Sequence, residues 1–159
     1  MKVITNKIEY HKIWDQIVQR FDFKPHGTLA PFNFKCKYKK YKFLARWNKE
    51  QEILVNKIFT EVFKCEIYAL NWNHDCFTYN PNESIEYNYH YYDEERKCNV
   101  YFPTYYPEGD YYFFLSKDFT MGIFGHPWRK ELYVIGDKLI EEFEANKYFL
   151  DLLGGYFFD

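Results

Sequence analysis

Two histidines that lie close to acidic residues are the groups in this sequence best suited to chemistry. His74 is followed directly by Asp75, and His126 lies in a Gly-His-Pro-Trp string. If the two turns meet in space, one imidazole could act as a general base that a carboxylate orients, or both could bind a metal ion with Asp75 or Asp110. Each histidine could equally hold its own turn through a hydrogen bond. The catalytic candidates are therefore His74, His126 and Asp110.

Residues around the two histidines are also suited to binding. Tryptophan and tyrosine provide large contact areas, and functional side chains often gather in loops that a rigid sheet positions. The candidate binding residues are Trp72, His74, Asp75, Glu94, Tyr106, Asp110, His126 and Trp128.

Nucleophilic catalysis and nucleotide binding have less support. Cys76 follows His74 by two residues, so both side chains would lie on one face of a strand, but no glycine-rich loop precedes them to bind an oxyanion. Neither Ser84 nor Ser116 lies in a GxSxG elbow. The sequence also lacks the GxGxxG and GxxxxGK[ST] loops that bind phosphates, and we expect no cofactor.

Cysteine spacing and hydropathy bear on the metal content and the compartment. The four cysteines, at positions 36, 65, 76 and 98, form no CxxC pair, which argues against a zinc site. The first residues contain no apolar signal segment, and no apolar run approaches the length of a membrane span. We therefore expect free, buried thiols, a cytoplasmic location and no membrane partner.

Length and composition favour one folded domain over residues 1–159. Aromatic residues make up 24% of the chain, while glycine and proline together number 13. Aromatic side chains bury large areas, so this composition excludes a disordered or linker-dominated protein.

Charge is divided unevenly along the chain. Residues 1–64 carry 14 basic and 6 acidic side chains, whereas residues 65–159 carry 7 and 17. The lysines between Lys35 and Arg46 alternate with aromatics, as in proteins that bind single-stranded nucleic acid. An edge strand with outward lysines explains the same pattern, and we favour it over a nucleic-acid partner.

The acidic half contains a tyrosine-rich segment, residues 83–110. Acidic groups among tyrosines are typical of a surface that binds a basic protein, such as a nuclease toxin, although cross-strand packing of tyrosines is the simpler explanation. The prediction is a non-enzymatic protein-binding module, of which an antitoxin or immunity protein is one form. The alternative is a small hydrolase or metal-dependent enzyme that uses His74 and His126 with a nearby aspartate.

Periodicity predicts three helices, over residues 7–21, 49–63 and 137–153. Asn48 and Gln51 form a capping box at the start of the second, and Gly154-Gly155 ends the third. The predicted strands are 34–43, 67–72, 76–79, 85–92, 98–102, 111–115, 121–124 and 132–135. In the first strand the alternation of aromatic residues with lysines shifts by one position at Lys39-Lys40, which indicates a bulge or tight turn. The fold class is α+β, with a mostly antiparallel sheet on which two N-terminal helices and a C-terminal helix pack.

Three segments together resemble a bacterial protein family known as domain of unknown function number 2716. They are IYALNWNHDCF at 67–77, PEGDYYFFL at 107–115 and GIFGHPW at 122–128. The resemblance implies a small, single-domain, cytoplasmic bacterial protein. Because the family has no established activity, the resemblance implies no catalytic residues.

Overall fold

The computed structural model describes residues 1–25, 34–83 and 85–158, the last three by backbone alone. The helices are α1 (Lys7–Phe21), α2 (Lys49–Val62) and α3 (Asp137–Asn146). The strands are β1 (Lys2–Val3), β2 (Tyr38–Phe43), β3 (Ile67–Asn71), β4 (Cys76–Tyr79), β5 (His90–Asp93), β6 (Cys98–Tyr101), β7 (Tyr112–Ser116), β8 (Gly122–His126), β9 (Glu131–Ile135) and β10 (Leu152–Phe158).

An eight-stranded antiparallel sheet forms the centre of the fold. Its strand order is β1-β4-β3-β7-β8-β9-β2-β10, and β5 and β6 pair with each other in a separate two-stranded sheet. Neighbouring strands along the chain, such as β3–β4 and β7–β8–β9, pair directly. The α+β class and the large antiparallel sheet are confirmed.

Helices cover both faces of the large sheet. One core contains Ile17 of α1 and Phe113 of β7, whereas the other contains Phe59 of α2, Phe143 of α3 and Phe114 of β7. Successive residues of a strand point to opposite faces, so the middle positions of the central strands are apolar on both faces. This arrangement explains the continuous apolar runs in the sequence.

The first two helices begin with side-chain caps. The Asn6 side chain accepts hydrogen bonds from the backbone N–H groups of Ile8 and Glu9. Asn48 and Gln51 form the reciprocal capping box at α2. These caps satisfy backbone donors that a helix start otherwise leaves without partners, and they fix where α1 and α2 begin.

The C-terminal region differs from the prediction of one long helix. Helix α3 ends at Asn146, and the chain continues through a turn into β10, which pairs with β2. The Trp47 indole donates to the Leu150 carbonyl at 2.6 Å. This contact and the β2 pairing draw residues 150–158 back along the sheet, so the last element is a strand rather than a helix.

The lysine-rich strand β2 is not an edge strand, contrary to the prediction. It lies between β9 and β10, and the buried Lys39 ammonium forms a 2.9 Å ion pair with Glu144. Tyr38 belongs to the α1-side core and Tyr41 to the opposite core. The shifted alternation in β2 therefore arises because aromatic residues are buried on both faces of the strand. The irregularity in strand pairing lies in the neighbouring strand β10, between Gly154 and Tyr156.

Among the described residues, no helix combines the length and the apolar character needed to span a bilayer. All four cysteines are free, but only Cys76 is fully buried and Cys65 is exposed.

Candidate functional site

His74 lies in the exposed turn between β3 and β4, beside a buried carboxylate. Its Nδ1 is 3.2 Å from the Asn71 Oδ1 and 3.5 Å from the Asp110 Oδ2, while the side chain is 70% exposed. Asp110 is buried and accepts hydrogen bonds from the backbone N–H of Asn73 at 2.7 Å and of Tyr111 at 2.8 Å. Asp110 therefore holds the turn in place, whereas the hydrogen-bond partner of the His74 ring is Asn71.

His126 has the opposite environment, at the end of β8. It is 4% exposed, and its Nδ1 accepts a hydrogen bond from the backbone N–H of Arg129 at 3.2 Å. Burial, assisted by the Arg129 charge, lowers the pKa of His126 to about 4. The ring is therefore neutral near pH 7 and carries its proton on Nε2. Its edge-to-face contact with Tyr111 has a centroid distance of 5.0 Å.

The two histidine turns lie at the same end of the sheet but are separated by β7. Tyr112 pairs with Asn71 on one side and with Gly125 on the other. Two strand spacings put the β3 and β8 backbones about 10 Å apart. The structure thus brings His74 to Asp110 and places His126 two strands away. Within the described ranges, no three His, Cys, Asp or Glu side chains are grouped so that they could hold a metal ion.

Asp75 connects the β3–β4 turn to the small hairpin formed by β5 and β6. Arg96 donates from Nη1 and Nη2 to the Asp75 carboxylate at 2.7 and 3.2 Å. Its Nε donates to Asp93 at 2.8 Å, and this contact lowers the pKa of Asp93. A planar guanidinium can bind two carboxylates at once, so Arg96 fixes the orientation of the hairpin.

The small hairpin has an inner face that packs on the core and an exposed outer face. Val100, opposite Tyr91, is buried in the core on the α2 and α3 side. The cross-strand pairs His90–Tyr101 and Tyr92–Asn99 form the outer face, where all four residues are exposed. Tyr92 is 51% and Tyr101 61% exposed, and the His90 and Tyr101 rings stack at a centroid distance of 5.4 Å.

The remaining predicted binding residues are dispersed. Glu94 is exposed in the turn after β5. Trp128 is 59% exposed in the β8–β9 turn, with its ring 4.9 Å from that of Tyr111. Trp72 is half-buried, 4.9 Å from the Trp14 ring, and Tyr106 is half-buried against Phe43. Their binding roles stay predictions, and of these four residues only Glu94 belongs to the hairpin, in the turn between β5 and β6.

Cys76 is unsuited to nucleophilic catalysis in this environment. Its thiol is buried and lies 3.6 Å from the Asn71 carbonyl oxygen. Burial raises the pKa of Cys76 to about 11. The thiolate is the reactive species, so this side chain stays in its unreactive form near neutral pH.

Sequence reasoning missed Glu52, a buried carboxylate on α2. Its two oxygens accept the backbone N–H groups of Tyr105 and Tyr106, each at 2.8 Å. Burial raises the pKa of Glu52 to about 7. The sequence contains a signal: Glu52 precedes Val55 by three residues and Phe59 by seven, which places it on the apolar stripe of the helix.

Comparison with known proteins gives a family without an assigned activity. The sequence model of the family described as "Protein of unknown function (DUF2716)" matches residues 5–140. The chain is also similar to the uncharacterized protein YxiI of Bacillus subtilis, with 39% identity over 75 residues, which cover 47% of this chain and 41% of that protein. No solved structure matches. The predicted resemblance is therefore confirmed, and this chain belongs to the DUF2716 family of proteins of unknown function.

Proposed function

We propose that this protein is a non-enzymatic binding module that recognises a basic protein through the outer face of the hairpin, formed by His90, Tyr92, Asn99 and Tyr101. The observation that carries the proposal is that this face is aromatic and exposed, while the opposite face of the same hairpin is anchored in the core. A toxin with a basic active site is a partner of this kind. The protein would then act as its antitoxin or immunity protein.

Rigid exposed tyrosines support a role in binding. Tyrosine buries a large area at a low entropic cost and is common among the residues that dominate binding energy. The Tyr101 ring is already ordered by its stack on His90, and Arg96 pins the hairpin to Asp75. A preorganised surface loses less conformational entropy when a partner binds.

The charges beside this face favour a basic partner. Glu94 and Glu95 are exposed in the turn that connects β5 to β6, and Glu86 is exposed shortly before it. Asp93, by contrast, is neutralised by Arg96, and Glu83 forms an ion pair with the N-terminal amine. The exposed Glu94 and Glu95 therefore follow Tyr92 by two and three residues along the chain. Opposite charges at an interface steer association and select the partner.

Affinity capture with matched variants tests the proposal. We expect the wild-type protein to retain a protein of isoelectric point above about 9. Retention should weaken from about 0.05 M to about 0.5 M salt, because salt screens charge pairs. The double substitution Tyr92→Ser/Tyr101→Ser should abolish retention. The control Tyr148→Ser removes a tyrosine that is 85% exposed elsewhere and should leave retention intact. Equal retention by both variants would exclude the outer face as the binding surface.

The pairing of His74 with Asp110 favours a second candidate, a hydrolase with His74 as general base. An imidazole whose Nδ1 contacts the Asn71 amide oxygen, with a buried carboxylate at 3.5 Å, leaves Nε2 to accept a proton. His74→Ala should then abolish hydrolysis of a substrate that the wild type cleaves, whereas His11→Ala, which changes an exposed histidine on α1, should not. Equal rates for the two variants would remove this candidate.

The four free thiols suit a reducing compartment, and we propose the cytoplasm as the location of the interaction.

A further inference from the structure

A cavity of about 120 Å³ lies between α2 and the segments around residues 85–88 and 102–105. Its inner wall contains Glu52, Tyr79 and Tyr105, which are all buried. Its outer part contains Ile53, which is 55% exposed, and Glu86. The cavity therefore runs from the surface to a buried carboxylate. This volume exceeds that of several water molecules and suits a small organic group.

The inner wall combines one carboxylate with a set of aromatic rings. The Tyr105 hydroxyl donates to the Asn56 Oδ1 at 2.7 Å and lies 2.9 Å from the Tyr79 hydroxyl. The Tyr79 and Phe102 rings are 4.9 Å apart in an edge-to-face arrangement. Aromatic faces attract cations, while the apolar edges of the wall fit an alkyl chain.

Glu52 has hydrogen-bond donors but, among the described residues, no cation in contact. Its two oxygens accept backbone N–H groups. Within the part of the chain that the structure describes, Arg46 is the cation that acts on it, and the Arg46 guanidinium instead pairs with Glu108 at 2.7 Å. Glu86 adds a second acidic group at the cavity. A buried carboxylate without a counter-ion is unfavourable, so an incoming cation would be stabilised here.

We propose that this cavity binds a primary ammonium group carried on a short alkyl chain, with Glu52 as its counter-ion. Two sources have this chemistry: a free alkylamine, and a lysine side chain of a protein partner. In the second case the inference rests on the proposed function, because Glu86 at the cavity precedes the first residue of the hairpin, His90, by four positions.

Titration calorimetry with n-butylamine, compared with the neutral n-butanol, tests the chemistry. We expect the amine to bind at least about tenfold more tightly than the alcohol, since charge pairing distinguishes them. Because the pKa of Glu52 is about 7, its ionised fraction rises from roughly a tenth at pH 6 to roughly nine tenths at pH 8. The amine should therefore bind about tenfold more tightly at pH 8. Equal binding of amine and alcohol at pH 8 would overturn the inference.

Two variants test the location of the site. Glu52→Gln keeps the side-chain volume and one acceptor oxygen, and it should remove the preference for the amine and its pH dependence. Ile53→Trp fills the mouth of the cavity from an exposed position and should weaken amine binding at least about tenfold. The matched control is Ile8→Trp, because Ile8 is 69% exposed on α1. Amine binding that survives Ile53→Trp unchanged would place it elsewhere and overturn the inference, even if Glu52→Gln fails to fold.

An amidated N-acetyl-lysine distinguishes the two sources of the ammonium group. Binding of this compound and of n-butylamine supports a lysine of a partner, whereas binding of n-butylamine alone supports a free amine. Partner retention that depends on Tyr92 and Tyr101, without amine binding, would overturn this inference and leave the proposed function standing. Amine binding without partner retention would support this inference and contradict the proposed function.

Discussion

The hairpins β8–β9 and β5–β6 are both short antiparallel pairs, but the fold uses them differently. Hairpin β8–β9 lies inside the eight-stranded sheet, and every residue of its two strands is buried. Hairpin β5–β6 lies outside that sheet and buries one face. A side chain in the first hairpin therefore contributes to packing. The outer face of the second is exposed, so substitutions there should change stability little.

The largest expected effect comes from a core residue of β8–β9. Phe124 is fully buried, and its ring lies 4.4 Å from that of Phe113. Phe124→Ala should lower the free energy of unfolding by about 4 kcal/mol, because it leaves a cavity between the sheet and α1. Tyr92→Ala on the outer face should change it by less than about 0.5 kcal/mol. Urea unfolding of both variants measures the difference. Equal losses of stability would show that the outer face of β5–β6 contributes to stability as much as the core of β8–β9.

Acid should destabilise the folded protein in part through His126. Its pKa is lowered by burial from 6.5 to about 4 in the folded protein, so between these values the unfolded chain binds more protons. The free energy of unfolding should therefore fall as the pH drops from 6.5 towards 4, on the order of 2 kcal/mol from this residue. His126→Asn retains an acceptor for the Arg129 N–H and should flatten this slope. The matched control is His11→Asn, which changes an exposed histidine on α1. An unchanged slope in His126→Asn would contradict the assignment.

A smaller effect is expected where β5–β6 is attached. Arg96 joins Asp75 and Asp93 in a partly exposed ion-pair network. Arg96→Ala should lower global stability by about 1 kcal/mol or less but accelerate hydrogen exchange at the β5 and β6 amides, because an isolated two-stranded sheet is marginal. Arg96→Lys keeps the charge without the bidentate contact and should give an intermediate exchange rate. Exchange that stays slow in Arg96→Ala would show that core contacts alone anchor the hairpin.

Local signals made part of this fold predictable from the sequence. Helix α1 is found at its predicted residues, and the capping box of α2 involves Asn48 and Gln51 as expected. Both depend on side chains within four positions of each other. The apolar residues of β8 and β9 are covered by helices on both faces of the sheet. A short apolar run such as 132–135 can be recognised from the sequence alone.

The parts that could not be predicted depend on contacts between distant residues. The chain leaves the helical path after Asn146, and Trp47 reaches Leu150 across 103 positions. Lys39 is buried because Glu144 lies beside it, which no pattern in β2 indicates. The exposure of Tyr92 and Tyr101 follows from the pairing register of the hairpin and from which face packs on the core. The candidate histidines were recognisable by type, but their separation by β7 is a property of the sheet order.

Site-specific photo-crosslinking tests the binding role of the outer face most directly. A photoreactive phenylalanine analogue placed at position 101 should form a covalent adduct with a basic protein when cells are irradiated, since Tyr101 is 61% exposed on this face. The same analogue at position 148, which is 85% exposed outside the hairpin, should form none. An adduct at position 148 and none at position 101 would contradict the account.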